Sequence, residues 1–401
     1  MSAQVGPAPR GVIRTRSALV IGGDYRALGI VRSLGRQGIP VWVLTDQHRV
    51  ASFSRYCRRA LPWSAGDDAA RVSFLLELAN RHRLEHWTIF PTADVTASFL
   101  ARNHSVLSAC YRLSVPPWEE LRRAYDKCLI HAIAADVGVD QPMLICGGTR
   151  EDIARLSWPF PLILKPATKE GRFNMFTHSK AWRVDSMREL LARYDEAAGM
   201  VDPSTIMVQE LIPAAPSSDY SFAALCDRGE PVASIVTWRA RQYPIEFGRA
   251  SSYVEAVDLP EVEEPARRLL GVLGFTGVIE VAFLKDARDG KYKLLDINPR
   301  AWGWHTLGRR SGVDFLHLYW QMLNGGSVSG GRARTGTKWI RLLTDIPTSF
   351  RMIRSGMLTP QRYLQSLRGP KEYAILAMDD PLPALVDAPI LARLAWKRGA
   401  A

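Results

Sequence analysis

The sequence has no long hydrophobic run, and none approaches the roughly 18 consecutive apolar residues that a membrane-spanning helix needs. Its basic N-terminus, residues 1–16, is followed by only a short apolar stretch, ALVIGG, which is too short to be the core of a secretory signal peptide. We therefore expect a cytoplasmic protein with a flexible N-terminal segment at residues 1–16.

Cysteine is also scarce. The chain has five cysteines, which are scattered and form no CxxC pair: Cys57, Cys110, Cys128, Cys146 and Cys226. A disulfide framework usually has an even number of cysteines, and a zinc site usually has closely spaced pairs. The sequence therefore argues against both, and it favours a reducing compartment.

Glycine-rich phosphate-binding motifs are missing as well. Gly22, Gly23 and Gly29 do not form GxGxxG, and the loop after Lys165, ATKEGRFN, has a single glycine and is not a P-loop. The succession of strand, loop, helix and strand around the first glycines nevertheless predicts a doubly wound, Rossmann-like domain over residues 17–115. The missing motif favours a structural βαβ unit over a dinucleotide site.

Two polar residues of this domain, Thr92 and Asp94, directly follow the predicted strand WTIFP. Polar residues just past the carboxyl end of a strand often line a crevice in such sheets. They can equally cap the helix that follows. Both interpretations stay open from the sequence.

The 401 residues are too many for one compact core, and their 47% hydrophobic and 23% charged content is ordinary for a globular protein.

Acidic residues are fewer than basic ones. The net charge is +12, and residues 331–401 alone hold twelve basic and five acidic residues. Such a tail can meet nucleic acid, a membrane surface or an acidic partner. No aromatic–basic interleaving or helix-turn-helix pattern favours nucleic acid.

The same tail carries apolar residues at broken helical spacing. They could face a membrane, the protein body or another subunit, and they are Leu385, Val386, Ile390, Leu394 and Trp396. Pro383 and Pro389 should keep any helix here short, which weakens the membrane interpretation.

The most informative stretch is GVIEVAFLKDARDGKYKLLDINPR, residues 277–300. Two alternating runs joined by the turn-forming segment KDARDG predict a β-hairpin. Asp296 and Asn298 share one face of the second strand. If the register places Glu280 opposite them, three oxygen donors converge, as a Mg²⁺ site needs. A carboxylate in an apolar run is seldom buried unless paired or metal-bound, which favours a metal site over a solvated hairpin edge.

Other charged residues are individually ambiguous. Lys165 closes an apolar strand and suits a phosphate ligand, whereas Lys127 alone on its helix would be uninformative. Arg239 and Arg241, in RARQYPIEFG, would form either an anion clamp or part of a solvated loop. Arg300 would add a positive charge beside the metal.

Taken in order, these features resemble the ATP-grasp superfamily over about residues 17–325, and the most specific part is LLDINPR after GVIEVAFL. The resemblance implies an α/β chain with a Rossmann-like N-terminal (pre-ATP-grasp) domain followed by a two-subdomain α+β ATP-grasp fold. It implies a linker helix and small lid subdomain at 116–205, a large subdomain with the metal site at 206–326, and a basic C-terminal extension at 327–401.

The resemblance also implies an ATP site with Mg²⁺ or Mn²⁺. Lys127 and Lys165, with Lys180 from the lid, would hold the phosphates. The other implied positions are Glu210, Leu211 and Ile212 for the adenine, Asp219 for the ribose, Glu280, Asp296 and Asn298 for two metal ions, and Arg300, Arg239 and Arg241 for the transferred phosphoryl group.

The implied activity is that of an ATP-dependent ligase. A small-molecule carboxylate takes the γ-phosphate, and an amine then displaces phosphate from the acyl phosphate. RQYPIEFG and NPRAWGWH resemble carboxylate–amine ligases similar to D-aspartate ligase. The alternatives are a bicarbonate-phosphorylating carboxylase or carbamoyl-phosphate-type enzyme, and a non-catalytic ATP-binding module. We expect small-molecule partners and no nucleic acid, and a homodimer is one arrangement we consider.

Two departures from the superfamily pattern stand out. The loop after Lys165 lacks the double glycine typical of many members, which leaves open how the lid would cover the phosphates. Asp296 stands where Glu is usual, and its side chain is one methylene shorter, so the spacing of the metal ions could differ.

Overall fold

The computed structural model describes residues 16–45, 48–63, 66–168, 181–245, 248 and 250–399. The predicted flexible N-terminus, apart from Arg16, lies outside these residues, as do Lys180 and most of the loop after Lys165. Within the described ranges, no helix is both long and apolar enough to cross a bilayer.

The N-terminal part is built on a parallel sheet of five strands in the order β3-β2-β1-β4-β5. β1 and β4 are buried along their whole length, as expected for central strands covered on both faces. The elements are β1 Ala18–Ile21, α1 Tyr25–Gly35, β2 Val41–Thr45, a 3-10 turn Val50–Phe53, β3 Cys57–Pro62, α2 Asp68–His82, β4 Thr88–Pro91, α3 Asp94–Arg102, α4 His104–Leu107 and β5 Arg112–Leu113.

Gly22 is needed for a structural reason, at the point where β1 ends beside β4. Its φ of +127° disfavours other residues, and a Cβ there would overlap the Thr92 hydroxyl. Thr92 donates its own hydroxyl hydrogen to the Ile21 carbonyl at 3.1 Å. The glycine thus serves the contact between two strands, in line with a structural βαβ unit.

Two linker helices lead to a small antiparallel sheet of four strands, in the order β6-β9-β7-β8. This sheet has an apolar core of its own, which includes Leu164, Leu190 and Val208. The elements are α5 Trp118–Tyr125, α6 Lys127–Asp136, β6 Leu144–Cys146, α7 Arg150–Ala154, β7 Leu162–Pro166, β8 Trp182–Val184, α8 Met187–Ala198, a 3-10 turn Pro203–Thr205 and β9 Ile206–Glu210.

The remaining chain forms an eight-stranded sheet in which β14-β13-β10-β11-β12-β16-β17 are neighbours and β15 pairs with β11. Its apolar core is continuous with that of the N-terminal sheet. The elements are β10 Asp219–Asp227, β11 Glu230–Tyr243, β12 Ala250–Val257, α9 Pro260–Leu273, β13 Gly277–Lys285, β14 Tyr292–Asn298, α10 Thr306–Arg310, α11 Phe315–Leu323, β15 Gly331–Arg332, β16 Lys338–Ile340, α12 Leu342–Arg354, α13 Pro360–Ser366, β17 Lys371–Tyr373 and α14 Leu382–Gly399.

The C-terminal extension is integrated into this body. β16 pairs with β12, and β17 pairs with β16. α14 runs through both Pro383 and Pro389, so the expectation of a short helix is wrong. Pro383 lies in the first turn, where its missing N–H is not needed, and packing of Val386 and Ile390 against the body offsets the cost of Pro389.

A disulfide joins Cys128 in α6 to Cys146 in β6, with their Cα atoms 5.9 Å apart. The expectation of no disulfide is therefore wrong. The chain returns from α6 to β6 and brings the two cysteines together, and spacing along the sequence does not reveal such an approach. Cys57, Cys110 and Cys226 are free thiols. The reducing compartment stays a prediction.

We expect this disulfide to stabilise the chain measurably. Closing a loop of this size contributes about 3 kcal/mol to the free energy of unfolding, so Cys128→Ser/Cys146→Ser should lose about that amount in urea titrations. Cys110→Ser is the matched control. Thiol titration of the unreduced, denatured protein should find three reactive cysteines, and finding five would contradict the bond.

Candidate functional site

The hairpin β13–β14 brings the three predicted metal ligands together. Glu280 lies directly opposite Asn298, and Ala282 lies opposite Asp296. The Asn298 amide donates a hydrogen bond to Glu280 Oε2 at 3.1 Å. The predicted register is therefore confirmed. The three side chains share one face of the sheet.

The Glu280 carboxylate is buried, and several donors stabilise its charge. Its Oε1 accepts hydrogen bonds from the Ser221 hydroxyl at 3.0 Å and the Trp304 indole at 3.1 Å. Arg239 adds an ion pair at 3.5 Å. Ser221 and Trp304 had no signal in the sequence. Their approach depends on β10 lying beside β13 and on the turn after β14.

Lys127 reaches the same hairpin from the linker. Its ammonium lies 3.4 Å from Asp296 Oδ1 and is largely buried. Asp126 caps α6 and so fixes its first residue, Lys127. The Lys127 backbone N–H donates to the Ala167 carbonyl, just past β7, at 3.1 Å. The helix that carries one predicted phosphate ligand is thus bonded to the loop that follows the other, Lys165.

His131, one turn after Lys127, is a buried residue that sequence reasoning missed. Burial, together with the nearby charge of Lys165, lowers the pKa of His131 to about 4. Its Nδ1 lies 2.8 Å from Gln141 Oε1. The imidazole is therefore neutral near pH 7. Its i+4 spacing from Lys127 was the one signal that could have placed it near the site.

Arg300 connects the hairpin to the N-terminal sheet. Its guanidinium donates to Asp94 Oδ2 at 2.6 Å and to Asn298 Oδ1 at 3.1 Å. Asp94 is the first residue of α3, and its carboxylate pairs with Arg300 at 2.6 Å. The Thr92 hydroxyl is directed to Ile21 and does not cap the helix.

A second acid–base pair lies at the carboxyl end of β1. Asp24 caps α1 through the backbone N–H groups of Arg26 and Ala27, and it also accepts from the Arg26 side chain at 2.8 Å. Burial alone would lower the pKa of Arg26, but the charges of Asp24 and Asp94 contribute to raising it. Asp94 therefore acts electrostatically on both Arg26 and Arg300.

Arg239 and Arg241 do not act together. A bulge between them shifts the pairing of β11 with β12 and ends the strand alternation. Arg239 lies 3.7 Å from Asp219 and 3.5 Å from Glu280, whereas Arg241 forms a buried bidentate pair with Asp345 in α12, at 2.7 and 3.1 Å. The predicted clamp of two arginines is therefore wrong, and Arg241 holds the C-terminal extension instead.

We expect Arg241→Ala to destabilise the protein by about 3–5 kcal/mol, because it leaves the buried Asp345 carboxylate without its partner. Burial already raises the pKa of Asp345 despite Arg241. Without Arg241 this pKa should rise further, so the deficit should shrink as the pH falls below the higher pKa of the variant and its carboxyl becomes neutral. Urea titrations at several pH values measure this.

The matched control for this prediction is Arg150→Ala, which removes an ion pair with Asp195 that is half exposed on both sides. Its expected cost is under about 1 kcal/mol. An equal loss in the two variants would show that the Arg241–Asp345 pair has no special role.

The predicted nucleotide-base segment lies between the small and large sheets. Glu210 ends β9, accepts from the Met143 backbone N–H at 3.1 Å and pairs with Arg288 at 3.0 Å. Leu211 donates its backbone N–H to the Pro161 carbonyl, and Ile212 is buried. Asp219 begins β10, where burial raises its pKa. Their roles in binding stay predictions.

The donor set suits a hard cation. Two carboxylates and one amide oxygen, from Glu280, Asp296 and Asn298, are oxygen ligands of the kind that Mg²⁺ prefers, with water and phosphate oxygens completing the shell. Across the described ranges, no group of three or more His, Cys, Asp or Glu side chains could hold a metal. The site would therefore have two carboxylates, with the amide oxygen, water and phosphate oxygens as the remaining ligands.

No protein-family model and no curated protein matches the chain in sequence. Solved structures do match in fold. The L-amino acid ligase from Bacillus licheniformis is 16% identical with a TM-score of 0.59, and the match covers 77% of this chain and 75% of that one.

Two further structures match over a similar share. The biotin carboxylase domain of the Hydrogenobacter thermophilus 2-oxoglutarate carboxylase, solved as a dimer with MgADP, ADP and bicarbonate, is 14% identical with a TM-score of 0.63, covering 80% of this chain and 73% of that one. The N5-carboxyaminoimidazole synthetase from Staphylococcus aureus is 14% identical with a TM-score of 0.58, covering 79% of each. These likenesses establish the shared fold, and the predicted fold class is confirmed.

Proposed function

From the ATP-grasp fold that the chain shares with these ligases and carboxylases, we propose that it is an ATP-dependent carboxylate–amine ligase. The observation that carries this proposal is the meeting of Glu280, Asp296 and Asn298 on one face of the hairpin, with Lys127 and Arg300 on either side. A protein that only bound a nucleotide could lose these metal ligands.

The residues have distinct tasks in this proposal. Lys127 and Lys165 hold the phosphates of ATP, and the segment Glu210–Ile212 receives the adenine by its backbone, with Asp219 near the ribose. Glu280, Asp296 and Asn298 hold Mg²⁺. When bound, Mg²⁺ neutralises the phosphate oxygens and orients the γ-phosphate.

The proposed chemistry proceeds in two steps. An oxygen of the substrate carboxylate attacks the γ-phosphorus, the bond to the β-phosphate oxygen breaks, and ADP leaves. The amine then attacks the acyl carbon of the acyl phosphate, loses a proton, and expels phosphate. Arg300 and Arg239 stabilise the charge on the transferred phosphoryl group, because catalysis of this transfer depends on positioning and electrostatics.

The acyl phosphate has to be shielded from water. The small sheet has its own apolar core and is suited to move as a unit over the site. We therefore assign residues 116–205 to the linker and lid, 206–326 to the large subdomain with the metal site, 17–115 to the pre-ATP-grasp domain and 327–401 to the extension.

The crevice beside Arg300 is the proposed place for the amine and carboxylate substrates. Asp94 and Asp24 supply negative charge for an ammonium group, and Arg26 supplies positive charge for a carboxylate. A zwitterionic amino acid fits this alternation. The similar ligase from Bacillus licheniformis, which is named for L-amino acids, supports this class of substrate.

A second candidate is a bicarbonate-phosphorylating enzyme. It is favoured by the likeness to the carboxylase domain whose structure contains MgADP and bicarbonate. The same metal hairpin would serve, because bicarbonate is also phosphorylated on an oxygen. The two candidates differ in the group that accepts the phosphoryl.

The test is ADP release by the purified full chain with ATP, Mg²⁺ and pooled amino acids, followed by mass spectrometry. The proposal predicts amino-acid-dependent ADP and a product whose mass equals the sum of two substrates minus water. Dependence on bicarbonate would favour the second candidate. Tight ATP binding without turnover in any pool would favour a non-catalytic module.

A further inference from the structure

Helix α12, Leu342–Arg354, exposes apolar residues to solvent and buries polar ones, the reverse of the usual arrangement in a surface helix. Leu343, Ile346 and Phe350 are spaced i, i+3 and i+7 and are 44%, 57% and 60% exposed. The opposite face, which packs on the body, carries Asp345, Thr348, Ser349 and Met352. A surface helix normally turns its polar face outward. This reversed arrangement suits contact with another apolar surface. We call the exposed face of Leu343, Ile346 and Phe350 the apolar stripe.

Exposed apolar side chains continue past the end of the helix. Met357 follows α12, and Leu364 lies in α13, with 40% and 62% exposure. The helical segments of the extension thus leave a succession of large hydrophobic residues uncovered. Scattered single residues of this kind need no explanation, but a helix face does.

The charges of the extension are sorted in the same way. All five of its acidic residues contact basic residues of the body. Four pair with arginines, Asp345 with Arg241, Glu372 with Arg309, Asp379 with Arg36 and Asp380 with Arg32, and Asp387 Oδ1 lies 3.3 Å from His48 Nε2. Four arginines of the helices α12 and α13 and their ends are exposed: Arg351, Arg354, Arg362 and Arg368. Four of these acids are largely buried against the body, Asp379 is 43% exposed, and the four arginines stay on the surface beside the apolar stripe.

We propose that this face of the extension docks on an anionic lipid surface. Leu343, Ile346 and Phe350 enter the boundary between headgroups and acyl chains, and Arg351 and Arg354 contact lipid phosphates. An in-plane helix with an apolar face and flanking arginines is the arrangement that binds such surfaces. The protein would then work at a membrane without crossing it.

Other occupants fit less well. A second copy meeting this face across a two-fold axis would place like arginines against each other. A nucleic acid would satisfy the arginines, but its phosphate backbone would leave Phe350 and Ile346 against a charged surface. A lipid interface is the partner that satisfies both features at once.

The test is flotation of the full chain with vesicles of phosphatidylcholine alone or mixed with phosphatidylglycerol. The wild type should bind the anionic vesicles at least about tenfold more tightly, since each arginine near such a surface contributes measurably. Added salt should weaken the binding. Ile346→Ser/Phe350→Ser and Arg351→Glu/Arg354→Glu should each reduce it by about tenfold or more.

Matched controls distinguish binding through this surface from nonspecific adsorption to vesicles. Val272→Ser removes an equally exposed apolar side chain elsewhere, and Arg155→Glu/Arg188→Glu reverses two exposed charges in the small-sheet region. Both controls should bind as the wild type does, and all variants should keep its thermal unfolding midpoint.

Several outcomes would overturn the proposal. These are equal binding to neutral and anionic vesicles, unchanged binding of the two stripe variants, or a wild-type dimer that Ile346→Ser/Phe350→Ser converts to monomer without any vesicle binding. Tight binding to nucleic acid with none to vesicles would overturn it as well. None of these results depends on the enzymatic activity.

Discussion

Asp296→Ala and Asn298→Ala are each expected to lower kcat by about 10³-fold, the scale on which one electrostatic group at a transition state contributes. Both side chains lie on the face of the hairpin that carries Glu280, Asn298 directly opposite it and Asp296 opposite Ala282. In the proposed reaction their oxygens would hold the Mg²⁺ that neutralises the transferred phosphate. Steady-state ADP release measures the loss. Circular dichroism should stay unchanged, because Asp296 is partly exposed.

A conservative variant and a control sharpen this prediction. Asp296→Asn keeps the shape of the side chain and removes its charge. The Mg²⁺ concentration that gives half-maximal turnover should therefore rise. The Mg²⁺ concentration needed for the shift in thermal unfolding that MgATP produces should rise as well. Asp289→Asn, in the turn of the same hairpin, should alter neither. Full activity in both alanine variants would remove the metal assignment while leaving the fold untouched.

Arg300→Ala should have the other large effect, a loss of about 10³-fold in kcat, the lower end of what an arginine contributes to phosphoryl transfer. One terminal nitrogen of Arg300, Nη2, donates to both Asp94 and Asn298, and the other, Nη1, donates to the Ala301 carbonyl. Lysine has a single nitrogen and cannot make all three contacts of the planar guanidinium, so Arg300→Lys should recover only part of the rate.

The role of Arg300 in the transition state can be separated from its role in joining the two domains. Asp94→Asn weakens the inter-domain contact but keeps the guanidinium, so its kcat should fall far less than in Arg300→Ala. Arg268→Ala, on the exposed side of α9, is the control. A change in KM alone for Arg300→Ala would assign it to ground-state binding instead.

The extension connects these results to the inferred docking face. Its acids bind arginines of the N-terminal domain and of the large sheet, as Asp380 does with Arg32 in α1 and Asp345 with Arg241 in β11. The extension is therefore fixed to the body that carries the site. Docking of the extension on lipid would hold the proposed metal site at a defined height above the membrane.

The sequence by itself determined the features that depend on local pattern. The period of two in β13 and β14 defined the hairpin, and the positions of Asp296 and Asn298 within that period put them on one face. The order of elements was enough to predict the fold class. These signals are local because side-chain direction along a strand follows from backbone geometry alone.

Only the tertiary structure decided the features that depend on distant segments. One bulged residue turned Arg241 away from Arg239, and the return of the chain to β6 paired Cys128 with Cys146. The partners of Glu280, Ser221 and Trp304, come from separate parts of the chain. The physical reason is that register shifts and long-range approaches are set by packing of the whole core, which no short window of sequence contains.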